Sequence, residues 1–345
     1  MEYRGRYGIF DAGRISTYLL SSRTNKVTLE DLVQPGDVQS QPIDVQRETA
    51  EHVERIAAAM SAAREAGRPA VFFTGAHLIK NGLGPLLIDL VERGMVSLVA
   101  GNFATAIHDF ELALIGQTSE YVPDALGKGQ FGMAYEFACI NAAISLGDLN
   151  CLGLGESLGR TICDENFRME ALGSVAKGDC PIEFLHPEAS VLAACYEKGI
   201  PLTVHAGIGT DVTDQHASFD GRAKGGCSAR DFLIYTNEIA KLTSGGVVVN
   251  MGSAVTGPEV LLKAVSMAAN TGAVPRGILT ADFDLRQRAS CRPDDESAPG
   301  YYFRDQKSVV KRIPEAFDGK GLYVQGDQKQ TFVLLYRKII EKLGF

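Results

Sequence analysis

The stretch VFFTGAHLIKNGLGPLLIDLVERGMVSLVAGNFATAIHDFELALI, residues 71–115, decides the fold. PAVFFTG (69–75) and MVSLVAG (95–101) are short, apolar, rich in β-branched and aromatic residues, and closed by glycine. Such runs are strands whose two faces both avoid water. Leu83–Arg93 and Ala104–Ile115 repeat apolar residues at helical spacing, so the unit reads strand, helix, strand, helix.

Outward from this unit, the same rhythm recurs as IPLTVHAG (200–207), GVVVNMG (246–252) and RGILTAD (276–282). Helical stretches separate these runs at Phe131–Leu146, Pro187–Lys198, Ser228–Leu242 and Gly257–Ala269. A helix over Ile43–Ala66 precedes the first strand, with Val53, Ile56, Ala57 and Met60 on one face and Gly67 and Pro69 ending it. Arg286–Gly300 reads as a loop and Thr331–Leu343 as a closing helix. Continuously apolar strands alternating with amphipathic helices require a parallel sheet covered on both faces, so the expected class is a three-layer α/β fold. Residues 1–44 are polar and irregular and read as an N-terminal arm. Residues 45–345 read as a single α/β domain with an insertion over about 116–180.

Lys+Arg 34 against Asp+Glu 42 leave a formal charge of −8, and no basic run follows a phosphate backbone, which argues against nucleic acid. A negative field suits cationic substrates such as amines. The opening MEYRGRYGIFDAGR has no apolar signal-peptide core, and no apolar run reaches ~18 residues, so a soluble, cytoplasmic protein with no membrane partner is expected. The cysteines at 139, 151, 163, 180, 195, 227 and 291 include no CxxC pair and read as reduced thiols. Cys227, in KGGCSAR, has a glycine-rich, basic setting that could lower a thiol pKa; the alternative is a small residue beside a helix start.

In parallel sheets ligands bind beyond the carboxyl ends of the strands. Those ends read Thr74-Gly75-Ala76-His77, Gly101-Asn102-Phe103-Ala104-Thr105, His205 to Asp211, Asn250-Met251-Gly252-Ser253-Ala254, and Thr280-Ala281-Asp282-Phe283-Asp284. Small residues and hydroxyls there suit a nucleotide, because glycine admits close backbone approach and helix N-termini favour anions. Tight strand-to-helix turns want the same residues without any ligand. Gly153-x-Gly155-x3-Gly159 has the outline of a dinucleotide turn, but no good strand precedes it and no acidic ribose partner follows, so a helix–helix connection is expected.

The residues 71–115 resemble the nicotinamide-binding core of the deoxyhypusine synthase-like superfamily. AGNFATAIHDFELAL (100–114) is similar to the LOR/SDH region of archaeal-type ornithine cyclodeaminases, whose turn reads A-G-N-A-x-A-x-H-D-I-E. The resemblance continues through IPLTVHAGIGTDVTD, VVNMGSAVTGPEVLLKA and GILTADFD, and leaves the arm and Phe131–Gly178 unmatched. It implies an NAD-binding fold in which Thr74, Gly75, Ala76 and His77 form the first cofactor loop. Gly101, Asn102, Ala104 and Thr105 would form the second, Gly252 and Ser253 a later one, and Asp282 and Asp284 would lie near the adenosine ribose. Asp109, Glu111 and Asp211 match its acidic positions. The chain has no Trp, so it departs from the tryptophan-containing segment and nucleophilic lysine of the synthases; Lys307 and Lys311 are its candidates for that lysine.

The resemblance implies NAD-dependent oxidation of a small amine or basic amino acid to an imine, with or without internal return of the hydride. Oxidising an amine needs a base and a carboxylate to hold the cationic group. His108 and Glu111 are three apart and share a helix face, and the ordinary pKa of His108, ~6.5, suits proton transfer. Asp109, Glu111 and Asp211 would hold the substrate, and Lys307 or Lys311 would form an imine if one is used. A homo-oligomer is also implied. Two other readings stand beside this one. His77, His108, Asp109, His205, Asp211 and His216 are enough ligands for a metal-dependent hydrolase, although no metal-site spacing marks them. A nucleotide-binding module without turnover is the other.

Overall fold

The computed structural model describes residues 3–173, 175, 183–243, 245–289 and 295–344. The elements begin with β1 (Asn25–Thr28), α1 (Arg47–Glu65), β2 (Ala70–Thr74), α2 (His77–Lys80), α3 (Gly84–Glu92), β3 (Leu98–Asn102) and α4 (Phe103–Ile115). They continue through β4 (Gln117–Glu120), α5 (Val122–Gly127), α6 (Phe137–Leu149), α7 (Leu154–Cys163), α8 (Glu165–Gly173), α9 (Val191–Lys198) and β5 (Leu202–His205). The last are α10 (Gly221–Ile239), β6 (Val247–Met251), α11 (Thr256–Asn270), β7 (Leu279–Asp284), a π-helix (Asp305–Arg312), α12 (Ile313–Ala316), β8 (Lys320–Gln325) and α13 (Gln328–Lys342).

Six strands form one parallel sheet in the order β5-β3-β2-β6-β7-β8. The chain builds outward from β2 through β3 to β5, returns, and builds the other way from β6, so the order reverses between β2 and β6. Successive residues of each strand serve opposite layers. Phe72, Val247 and Phe283 pack with α1, α3 and α13. Val71, Phe73 and Val248 pack with α10, α11 and the π-helix. A third buried cluster joins α4, α6, α7 and α8, so the helices after residue 137 have a core of their own against the sheet's β5 end. This is the three-layer arrangement expected.

Helix side chains meet both outer strands. On β5, Asp231 accepts from the Val204 N–H, while Ser228 donates to the Val204 carbonyl and accepts from the Ala206 N–H. On β8, Thr49 donates to the Gln325 carbonyl and a ring nitrogen of His52 lies 2.8 Å from the Tyr323 carbonyl.

The differences from expectation have local causes. The strand β8, KGLYVQ, carries Lys320, Gly321 and Gln325 around only three apolar residues, so it lacks the continuous apolar run of the other strands and went unread. Also unread was the small antiparallel sheet of β1 and β4, whose NKVT and QTSE are too polar to signal a strand. It stitches the arm onto the segment after α4, with Val27 opposite Thr118. The helix expected from Phe131 starts at Phe137, because Gly132 has φ +73 and Tyr18 of the arm bridges to Ala134. Helix α10 starts earlier than Ser228, at Gly221, where Asp220 accepts from the Arg222 N–H at 2.8 Å. Cys227 is the small core residue of the two readings: it is buried, and burial raises its thiol pKa. Cys180, Cys291 and part of the Arg286–Gly300 loop lie outside the described residues. Among the described residues no single helix is long and apolar enough to cross a membrane.

Candidate active site

Helix α4 leaves the carboxyl end of β3 and carries the central residues. It starts at Phe103 because Asn102 caps it, accepting from the Thr105 N–H at 3.0 Å and the Thr105 hydroxyl at 2.8 Å. The three-residue spacing brings His108 and Glu111 to one cavity of about 260 Å³, whose wall also includes Ala104, Asp211, Glu120, Lys80 and Arg23. Glu111 is buried, and Arg23 pairs with its Oε1 at 2.9 Å. Thr118 donates its hydroxyl to Glu111 Oε2 at 2.5 Å and lies 2.7 Å from His108 Nδ1. Because that hydroxyl proton goes to the carboxylate, the network assigns the Nδ1–H tautomer to His108 and leaves a lone pair on Nε2. Burial pushes the Glu111 pKa up, but His108 and Arg23 outweigh it and hold the carboxyl at about 2. An ionised carboxylate, a hydroxyl and an imidazole thus form a relay able to take a proton.

Asp211 enters from the loop after β5. Its Oδ2 lies 2.8 Å from Lys224 Nζ, which also binds Asp214 at 2.5 Å, and the ammonium sits 4.3 Å from the Phe103 ring centre. Burial raises the Asp211 pKa, with Lys224 opposing. Arg23, Lys80, Glu120 and Lys224 went unread in the sequence. Arg23 sits far in the chain from Glu111, and Lys224, though only 13 and 10 residues from Asp211 and Asp214, carries no motif; only β1 pairing with β4, itself unread, could have pointed to Arg23.

Asp109 does not join this group. One position from His108 on the helix, it turns to α9, where it accepts from the Ser190 hydroxyl at 2.5 Å and from the Val191 and Leu192 N–H groups at 2.8 and 3.0 Å. It clamps a helix start, and burial raises its pKa to about 6. His205 is a core residue stacked on Phe73, with burial lowering its pKa to about 3. His77 is exposed on α2. His216 contacts Ser218. Of the six residues of the metal reading only His108 and Asp211 line the cavity, and among the described residues no group of three or more His, Cys, Asp or Glu is placed to hold a metal. Lys307 and Lys311 sit on the π-helix beyond β7, and neither lines the cavity; Lys307 is buried with Nζ 3.6 Å from the centre of the Tyr301 ring.

The expected cofactor loops divide in the same way. Thr74 and Gly75 end β2 beside Gly252 and Ser253 at the end of β6, where the strand order reverses and Rossmann-type sheets hold dinucleotides. A Cβ on Gly75 would lie 2.3 Å from the Gly252 carbonyl, so these glycines answer first to each other. The Ser253 hydroxyl, two residues before the N-cap Val255, accepts from the Gly257 N–H in the first turn of α11 at 2.9 Å. Asp284 is tied to Arg286, which also holds Asp305. Asp282 is different: its Oδ1 accepts from Asn250 at 2.7 Å, and its buried Oδ2 has no hydrogen-bond partner. Asn250 Oδ1 and Gln328 Oε1 are likewise buried acceptors without partners. Three unmatched polar atoms near the carboxyl ends of β6 and β7 suit the hydroxyls of a ribose; burial and the nearby Asp305 raise the Asp282 pKa, so its Oδ2 can carry a proton and donate. Gly101, Asn102, Ala104 and Thr105 form the start of α4, with Ala104 on the cavity wall, and Ala76 precedes the short α2.

Of the Gly153–Gly159 string only Gly153 belongs to the connection between α6 and α7, as the N-cap of α7; Gly155 and Gly159 lie within that helix. The carboxylate of Asp231 accepts from the Gly155 N–H at 3.0 Å, at the start of α7, and Gly159 faces the Leu192 carbonyl of α9 at close approach.

No protein-family model matches the chain, and no curated protein matches it. Among solved structures it is similar to ArgZ, an arginine dihydrolase of the ornithine–ammonia cycle in cyanobacteria, at 19% identity and a TM-score of 0.47, covering 86% of this chain and 32% of that one. It is similar to AgrE in ternary complex with ornithine and NAD+ at 14% identity and 0.48, covering 88% and 35%. It is also similar to a LOR/SDH protein from Methanococcus maripaludis S2 at 16% identity and 0.46, covering 91% and 74%. The chain spans about a third of the length of ArgZ and AgrE.

Proposed function

We propose that the chain is an NAD-dependent enzyme that oxidises a small amine or basic amino acid to an imine. The observation that carries this reading is the His108–Thr118–Glu111 relay, which shares one cavity with Asp211 at the carboxyl end of a Rossmann-ordered sheet. NAD, when bound, supplies the hydride acceptor. Asp282 and Gln328 would hold ribose hydroxyls, and the N–H groups at the start of α4 would face phosphate. The substrate ammonium meets Glu120 and Asp211, and His108 Nε2 takes the proton the amine must lose. Arg23 and Lys80 give the same cavity cationic groups, so a molecule carrying both ammonium and carboxylate satisfies both signs. Asp109, Lys307 and Lys311 have no part in this scheme, so it needs no lysine imine. A homo-oligomer remains part of the proposal from the sequence resemblance.

Because AgrE was solved with ornithine and NAD+, ornithine is the first substrate to try, followed by arginine, putrescine and spermidine. The test combines NAD binding by calorimetry with nicotinamide difference spectra on adding each compound. Binding of NAD with a spectral change in wild type, and loss of that change in His108→Ala, is expected. Failure to bind NAD, or a His108→Ala variant as active as wild type, overturns the reading.

A further inference from the structure

Lys224, near the start of α10, is 1% exposed, a burial that lysine tolerates only where its charge is answered. Its Nζ lies 2.8 Å from Asp211 Oδ2 and 2.5 Å from Asp214 Oδ1, both on the loop after β5. The ring centres of Phe103 and Phe219 lie 4.3 and 5.7 Å from the same nitrogen. Asp214 in turn accepts from the Gly209 N–H at 2.7 Å, so one ammonium gathers the loop, and Phe103, the first residue of α4, covers it. Asp211 lines the cavity of His108 and Glu111, whereas Lys224 does not, so any effect of the lysine on a substrate passes through Asp211. One ammonium between two carboxylates leaves a surplus of one negative charge, which a cationic group in the cavity would balance.

From this arrangement we infer that Lys224 is a positioning residue: it gathers Asp211 and Asp214 on one ammonium and so holds Asp211 at the cavity wall as the carboxylate that meets the substrate's cationic group. The inference rests on the proposed amine-oxidising reading, in which Asp211 docks that group, and adds the device that keeps it charged. Without the lysine, two carboxylates that now share one nitrogen would share a proton, because like charges this close do not both ionise when buried. Burial already raises the Asp211 pKa and Asp214 adds to it, while Lys224 and the Thr210 hydroxyl oppose. Across the same cavity stand Arg23, Lys80, His108, Glu111 and Glu120. These five are unchanged in every variant below, so differences between variants report the lysine and its two acids.

The test measures ornithine binding to the full chain by calorimetry with NAD present, and the Asp211 carboxyl titration by NMR. It compares wild type, Lys224→Met, and Lys224→Met combined with Asp214→Asn. In Lys224→Met the Asp211 titration should move up by about one pH unit or more, and ornithine should bind about tenfold more weakly at about pH 6 yet close to wild type at about pH 8. Removing the second acid as well should restore both at about pH 6, because the remaining carboxylate then has no like charge beside it. A lysine serving only the fold would not produce that restoration. An unmoved Asp211 titration, a loss of affinity equal at both pH values, or no restoration in the double variant each overturns the inference. If Lys224→Met does not fold, Asp214→Asn decides alone: with the lysine answering to Asp211 only, that carboxyl should titrate lower than in wild type, and no downward move overturns the inference. A wild-type chain that binds no ornithine counts against the proposed function, and the Asp211 titrations then decide this inference by themselves.

Discussion

Glu111 is the residue on which the cavity's charge balance turns. Replacing it in Glu111→Gln strands the Arg23 guanidinium and breaks the relay to His108. The variant should lose about 3 kcal/mol at neutral pH, the order of cost of removing one partner from a buried ion pair. Turnover should fall roughly 10²-fold, measured beside urea unfolding. The sign with pH follows from its depressed carboxyl: the native state keeps Glu111 ionised down to about 2, below the ordinary 4.5. Its stabilisation is full above about 4.5 and is lost as pH falls toward 2. His205 acts in a higher window. Burial holds its pKa at about 3 against an ordinary 6.5, so each pH unit below about 6.5 costs about 1.4 kcal/mol until the ring charges. His205→Phe keeps the packing on Phe73 and should flatten the stability curve between about pH 6 and 4; a curve parallel to wild type refutes this. The sequence made His108 and Glu111 legible because i and i+3 share a helix face by geometry alone. It could not separate Asp109, since a carboxylate at a helix start looks alike whether it meets a substrate or a neighbouring helix's N–H groups.

Among the elements, α4 depends on its cap. Asn102→Ala removes the acceptor for the Thr105 N–H and hydroxyl, should cost about 1 kcal/mol, and should loosen the turn that carries Ala104 to the cavity. Weaker NAD binding with His108 chemistry retained at saturating cofactor is the expected pattern, read from binding and turnover together. Strands β2, β3, β5, β6 and β7 were legible because burial on both faces leaves an unbroken apolar run. The polar β1 and β4 were not, since their hydrogen bonds, and not their side chains, make them strands. Helix α10 shows a related limit: Lys224, Ser228 and Asp231 look like ordinary surface polarity in KGGCSARD, and only the folded helix reveals that all three reach inward.

At the scale of the whole molecule, the arm is part of the site. Tyr18 donates to Glu120 at 2.5 Å, the Leu20 N–H to Glu136 at 2.8 Å, and Arg23 neutralises Glu111. A chain lacking residues 1–28 should therefore keep its parallel sheet by circular dichroism, melt several degrees lower, and lose activity more than tenfold. Full activity in that chain would show the arm to be ornament. The order of the six strands could not be read from the sequence, because each apolar run is equally suited to any position in the stack, and the fold class was legible where the topology was not. The engagement of Val204 on one side and of Tyr323 and Gln325 on the other has a consequence for assembly. Backbone groups already bonded to their own helices offer no template to a stray strand, so these stretches of β5 and β8 should be poor seeds for ribbon-like aggregates from the native state.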